Sequence, residues 1–187
     1  MPKENPISQA AQWFLRDFQG LLEDFAQETK SQVMAIDKDG NLITKLSGVQ
    51  NVCKLILASE EGRIRCLDSF KMGLSLVKSQ KKPIFSDYYA GFASAWLPII
   101  IRDSLIGVIV ICGGKYDRGE SKEKLTEKYS KLADELGVIG KENFLKMAID
   151  EVSLITEEEI RKRVEKLTGL VEILTENVQT PLKEIFG

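Results

Sequence analysis

Residues 83–116, PIFSDYYAGFASAWLPIIIRDSLIGVIVICGGKY, constrain the fold more than any other stretch of the chain. They read as three consecutive strands at 84–89, 93–101 and 105–112, with Arg102-Asp103-Ser104 as a tight turn. β-Branched and aromatic residues bounded by Gly, Asp and Ser support that reading. The last two strands are apolar at both parities. Trp96, Pro98 and Ile100 fall on one face, and Leu97, Ile99 and Ile101 on the other. A strand that is apolar on both faces must be covered on both. Helices are therefore expected on each side of the sheet, with an enclosed space beneath one face.

The rest of the chain is long enough to supply that cover. Its 187 residues, 43% hydrophobic, suit one domain with helical extensions. A net charge of −2 argues against a nucleic-acid partner. No run of about 18 apolar residues is present, so no membrane partner is expected. The start, MPKENPISQ, lacks the apolar core of a signal peptide. Three cysteines, an odd count, fit a reducing cytoplasm. Histidine is absent, which removes the commonest general base and the commonest metal ligand. With no paired carboxylates or nucleophile–base pair visible either, no enzyme activity and no cofactor are expected.

Ser8 can cap a helix over 8–28, with Phe14, Phe18, Leu21, Leu22 and Phe25 on one face. Residues 31–37 and 41–47 read as a hairpin, turned by Asp39-Gly40. The run Asp37-Lys38-Asp39-Gly40-Asn41 resembles the start of a calcium loop, but the terminal Glu of that loop is missing: Ser47 or Gly48 stands there. Two helices follow, at 49–59 and 63–79, with Glu60-Glu61-Gly62 as the break. Cys53 and Cys66 fall on their apolar faces. Free Cys is among the most buried residue types, so plain packing accounts for both, as does a position on a pocket wall.

The candidate ligand-binding residues are Cys53, Cys66, Tyr88, Tyr89, Phe92, Trp96 and Cys112. Aromatic walls with a few hydroxyls and thiols suit a small, mostly apolar molecule carrying one or two polar atoms. Asp87 and Arg102 are further candidate anchors. Gly91 stands where the chain swings from Tyr89 to Phe92, so a backbone conformation that disfavours other residues is expected there. Gly113-Gly114 lets the backbone bend away from the sheet. The three cysteines also define a redox or metal/cluster alternative. Cys53 and Cys66 are 13 residues apart, and Cys112 is 46 further on. With no CxxC and no histidine, a four-ligand zinc site is not assembled by these residues alone.

Ser121 caps a helix to Leu136, stopped by Gly137 and Gly140, and a short helix is expected over 141–150. Thr156-Glu157-Glu158-Glu159 is a capping box that opens a last helix over 156–186. Val164, Val171 and Val178 take heptad position a, and Ile160, Leu167 and Leu174 position d. β-Branched a residues with Leu at d favour a two-stranded coiled coil, so a homodimer through this helix is expected. Leu170 and Ile173 offer a second apolar edge.

Two strands, two helices and three strands in that order form the plan of a PAS sheet, to which a GAF domain is close. The expected fold is α+β: a PAS/GAF-like five-stranded antiparallel sheet, helices on both faces and a long C-terminal helix. The core is expected over 31–150 and one domain over 1–187. Cys53, then Gly62-Arg63-Ile64-Arg65-Cys66, Tyr88-Tyr89-Ala90-Gly91-Phe92, Leu97-Pro98-Ile99 and Ile106-Gly107 resemble the PocR-type sensory domain. The resemblance implies a PAS variant that binds small hydrocarbon derivatives such as propanediol. It also implies a separate or truncated output module, of the transcription-factor or histidine-kinase kind. That family often has a further Cys just before the glycine matched by Gly91. Here Tyr88 or Tyr89 stands in its place, which removes a ligand from any cysteine-based site.

Overall fold

The computed structural model describes residues 8–101, 103–176 and 185, without the side chains of 174–176. Arg102, the side chain of Leu174, Val178 and the expected continuation of the last helix past Glu176 lie outside the described residues.

Helix α1, Gln9–Thr29, is capped as expected, with the Ala11 N–H donating to Ser8 Oγ at 3.2 Å. Strand β1, Gln32–Asp37, follows. Helix α2 spans Asn51–Ala58 and α3 spans Glu60–Gln80. The expected break at Glu60-Glu61-Gly62 is instead the first turn of α3. The Ser59 hydroxyl accepts from the Gly62 N–H at 3.1 Å, and two acidic residues in that turn favour the helix N-terminus. Gly62 is there for close approach: a Cβ on it would lie 2.0 Å from the Ile56 carbonyl oxygen.

Strands β2 (Ile84–Asp87), β3 (Ala93–Ile101) and β4 (Ser104–Tyr116) form the predicted antiparallel meander, and β1 pairs with β4, giving the order β1-β4-β3-β2. Strand β2 stops at Asp87, because residues 88–92 form a turn closed by the Gly91 N–H on the Tyr88 carbonyl at 2.6 Å. Gly91 has φ +73°, the left-handed conformation expected of it. Strand β4 runs four residues past the expected end at Cys112.

The fifth strand is not the second arm of the expected hairpin. Residues 41–47 form no continuous ladder with β1: they pair with it through isolated bridges, Ile36 to Leu42 and Val33 to Ser47. Between those bridges the Thr44 hydroxyl takes the Ala35 N–H at 2.8 Å, so a side chain replaces a ladder bond. The Asp37 carboxylate meanwhile accepts the Asp39 and Asn41 N–H groups at 2.8 and 2.9 Å, which is turn chemistry rather than a cation loop. The fifth strand, β5 (Leu154–Ile155), pairs in parallel with the end of β4.

Helix α4 spans Lys122–Leu136 and ends on Gly137 at φ +62°. The expected helix at 141–150 is α5, Lys141–Lys146, followed by a π-helical turn over Met147–Glu151. Helix α6, Glu157–Glu176, opens with the predicted reciprocal box: the Thr156 N–H donates to Glu159 Oε2 at 2.6 Å and the Glu159 N–H to Thr156 Oγ1 at 3.1 Å. No helix among the described residues is long and apolar enough to cross a membrane.

Both faces of the sheet are covered. Ala95, Leu97, Ile99, Ile109 and Ile111 pack against Phe18, Leu22 and Phe25 of α1 and against Ile160, Val164, Leu167 and Val171 of α6. On the opposite face Trp96, Val108 and Val110 meet Leu74 and Val77 of α3. The described part of the heptad seam of α6, Ile160 to Val171, is thus filled by the chain's own sheet, because a sheet that is apolar on its back face competes for the same stripe. Of the second edge, Ile173 is 65% exposed.

Trp96 is 1% exposed and lies over Gly73, where a Cβ would come within 2.1 Å of the indole. Gly73→Ala is therefore expected to destabilise the domain by about 1–3 kcal/mol through overpacking, and Trp96→Ala by about 3–5 kcal/mol through the cavity left behind. Urea midpoints measure both; a Gly73→Ala midpoint equal to the wild type's contradicts the packing described.

Candidate functional site

One stretch of the α3 face of the sheet is left uncovered by packing. Between the sheet, α2 and α3 lies a cavity of about 340 Å³. Its floor is Gln32, Met34 and Ile36 from β1 with Cys112 and Gly113 from β4. Cys53, Ile56 and Leu57 of α2 form one wall, and Arg63, Cys66, Leu67 and Phe70 of α3 another. Tyr88 and Phe92 close one end, and Leu42 and Leu46 of the 41–47 segment stand at the other. Leu42 and Leu67 are 65% and 58% exposed, so the mouth is apolar.

Five of the seven candidate residues meet here: Cys53, Cys66, Tyr88, Phe92 and Cys112. Two do not. Trp96, on the same face of the sheet, is spent on packing against Gly73. Tyr89 turns away, donating its hydroxyl to the Gly62 carbonyl at 3.2 Å with its ring 4.5 Å from that of Tyr88. Asp87 is also elsewhere, paired with Arg118 at 2.5 Å.

The polar groups of the cavity are few, and Arg63 is the one charged residue in its lining. The Gln32 amide donates to Cys53 Sγ at 2.6 Å. The buried Tyr88 hydroxyl makes no well-formed hydrogen bond among the described residues and has only the Cys66 thiol and the Tyr89 hydroxyl beside it. Gly113 approaches Gln50, whose side-chain amide donates to the Gly113 carbonyl, so the backbone bends where expected, at φ +115°. Burial pushes the Cys53 thiol up to about 11, against the Gln32 hydrogen bond and with a small push from Cys66. Burial likewise raises the Cys66 and Cys112 thiols and the Tyr88 phenol. The thiols are accordingly protonated near neutral pH, the unreactive form. Among the described residues no group of three or more His, Cys, Asp and Glu is arranged to hold a metal ion.

Sequence reasoning missed Gln32, Arg63 and Phe70. Gln32 was legible only as a polar residue opening a strand, and its 3% exposure is a tertiary fact. Phe70 shares the helical register of Cys66, a spacing that pointed to the same wall.

An antiparallel sheet covered by helices on both faces is a PAS-like α+β fold. The chain belongs to the PocR sensory-domain family: the family profile described as "Sensory domain found in PocR" matches residues 14–178. This is a family of signal-sensing domains, not of enzymes. No curated protein and no solved structure matches the chain.

The raised thiol pKa has a pH signature. A folded group that holds its proton more tightly than the unfolded chain stabilises the fold below its unfolded pKa and ceases to do so as pH rises through the folded one. For Cys53 that window runs from 9.0 to about 11. The stability difference between wild type and Cys53→Ala is expected to shrink across it, with alkylation by iodoacetamide at pH 8 much slower in the folded than in the urea-unfolded protein. Equal alkylation rates in the two states contradict this.

Proposed function

We propose that the domain is a cytoplasmic sensor that takes a small, mostly apolar organic molecule into the thiol-lined cavity and relays occupancy through its terminal helices. The observation that carries this reading is the buried Tyr88 hydroxyl, without a well-formed hydrogen bond among the described residues, on the wall of a mostly apolar space. A buried hydroxyl without a partner costs free energy, and a ligand oxygen is what would satisfy it. Neutral thiols and the Gln32 amide add weak polar contacts, and the one charged lining residue, Arg63, donates to the Leu57 and Ala58 carbonyls at 3.2 and 3.4 Å. The size suits a ligand of a few to about a dozen heavy atoms. Small diols and alcohols, the class that the family resemblance implies, meet these requirements.

The relay follows from the two faces of one strand. Cys112 borders the cavity, while Ile111 beside it packs into the cluster that holds α1 and α6. A ligand that favours one placement of β4 over another biases those helices, provided its affinity for the two placements differs. The output module lies elsewhere, on this polypeptide or on a partner. We place a homodimer contact on the outer edge of α6, at Leu170 and Ile173, since Val164, Leu167 and Val171 are occupied by the sheet.

Thermal-shift titration with small diols and alcohols tests the ligand. A binder is expected to raise the melting temperature, and Tyr88→Phe to weaken it about tenfold, the worth of one lost hydrogen bond. Leu57→Trp, which fills the cavity, should abolish the shift. A complete panel without a binder removes the reading. For the dimer, sedimentation should find two chains in the wild type and one in Ile173→Glu; a wild-type monomer at micromolar concentration rejects it.

A further inference from the structure

A second cavity, of about 360 Å³, lies away from the thiols, between the end of β4, α4 and the π-helical turn. We propose that it is a binding site for the carboxylate group of a small organic acid, held by Lys115, Tyr129 and Lys128.

Lys115 is the chief observation. It is 4% exposed and has no carboxylate within salt-bridge distance among the described residues. Its ammonium donates to the Ala148 carbonyl at 2.9 Å and to that of Ile149, both within the π-helical turn. Such turns release carbonyls from the regular helical ladder and recur at functional sites. Two of the three ammonium protons are used, and the charge has no counter-ion in direct contact, only Asp150 and Glu120 acting at longer range. A buried charge without a contacting counter-ion is expensive.

Tyr129 is the second, independent observation. The residue is fully buried, lines the same cavity, and its hydroxyl has no hydrogen-bond partner among the described residues. A cation with a spare proton and a phenol with a spare proton call for one acceptor of negative charge. The third group is Lys128, whose ammonium lies 5.7 Å from the centre of the Tyr129 ring and forms a loose ion pair with Glu120 at 3.6 Å. Gly91 keeps this end open: a Cβ there would lie 2.9 Å from Lys128 Cε and 3.9 Å from the Tyr129 hydroxyl.

The charges already present select the kind of anion. Asp87 is engaged by Arg118 at 2.5 Å and Asp150 by Lys122 at 3.2 Å, so neither makes a direct ion pair with Lys115, although Asp150 attracts it at longer range. Asp117, Glu120 and Glu151 also border the cavity. This acidic rim repels a dianion more than a monoanion, which favours a monocarboxylate over phosphate. The site stands apart from the thiol-lined cavity and does not depend on what that cavity binds.

The test is calorimetric titration of the whole chain with propionate, and with inorganic phosphate and ethylammonium for comparison. Propionate is expected to bind and the other two not. Tyr129→Phe should weaken propionate binding about tenfold, one hydrogen bond to a charged acceptor, while leaving the ligand-free melting temperature unchanged or higher, because an unsatisfied hydroxyl is removed. Lys115→Met should abolish binding; should that variant not fold, Tyr129→Phe decides. Phosphate binding tighter than propionate, no propionate binding, or equal affinity in Tyr129→Phe overturns the proposal. Tyr129 lies outside the thiol-lined cavity and Tyr88 outside this one, so the two readings fail separately.

Discussion

Strands β3 and β4 carry large apolar side chains at both parities, and neither face can be left to water. Burying one such side chain is worth about 1.5–3 kcal/mol, so both faces recruit cover. On the back, α1 and α6 supply it in full. On the front, α3 covers the half of the sheet that holds Trp96, and the other half closes over empty space. The domain's architecture follows from that asymmetry. A cavity exists because α3, held close to the sheet at Gly73 and to α2 at Gly62, cannot also fill the region above Cys112 and Gln32.

The same constraint decides what α6 does. A heptad stripe of Val and Leu is equally suited to a second helix and to a flat apolar sheet. Within one chain the sheet is always present at high effective concentration, whereas a partner must be met. The stripe therefore goes inward. Lys166 paired with Glu28 at 2.7 Å, and Arg163 donating to Ser31 at 3.1 Å, fix the helix beside α1. Exposed pairs of this kind add little stability, but they set the register in which α6 crosses the back of the sheet.

Of the buried polar groups without partners, Tyr88 lines one cavity and Tyr129 the other, while Trp96 and Gln50 line neither. Tyr88 and Tyr129 each keep a buried hydroxyl unpaired, Trp96 an indole N–H, and Gln50 an amide oxygen beside the bend at Gly113. The apolar core on the back of the sheet contains none among the described residues. Burying such groups lowers stability, and a site that must bind through them has reason to keep them available.

Much of the fold was legible in the chain because it rests on local physics. β-Branched and aromatic runs bounded by turn residues marked β2 to β4, Ser8, Ser121 and the Thr156 box marked helix starts, and Gly91 and Gly137 marked places where φ turns positive. The three cysteines and Tyr88 were legible as a set because helix register and strand parity put them on one side. The choices between equally good local partners were not legible. Thr44 displaced a ladder bond and dissolved the second hairpin arm, Ser59 capped a helix earlier than the glycine suggested, and Trp96 filled the notch at Gly73 instead of the cavity. Lys115 offered no signal at all, since its burial depends on carbonyls freed by a π-helical turn more than thirty residues away in sequence. By itself the sequence determined the elements and the two-faced sheet, because periodicity and capping act over a few residues. Only the tertiary structure decided which apolar stripe met which face and which polar groups were left without partners, because those outcomes depend on competition among surfaces distant along the chain.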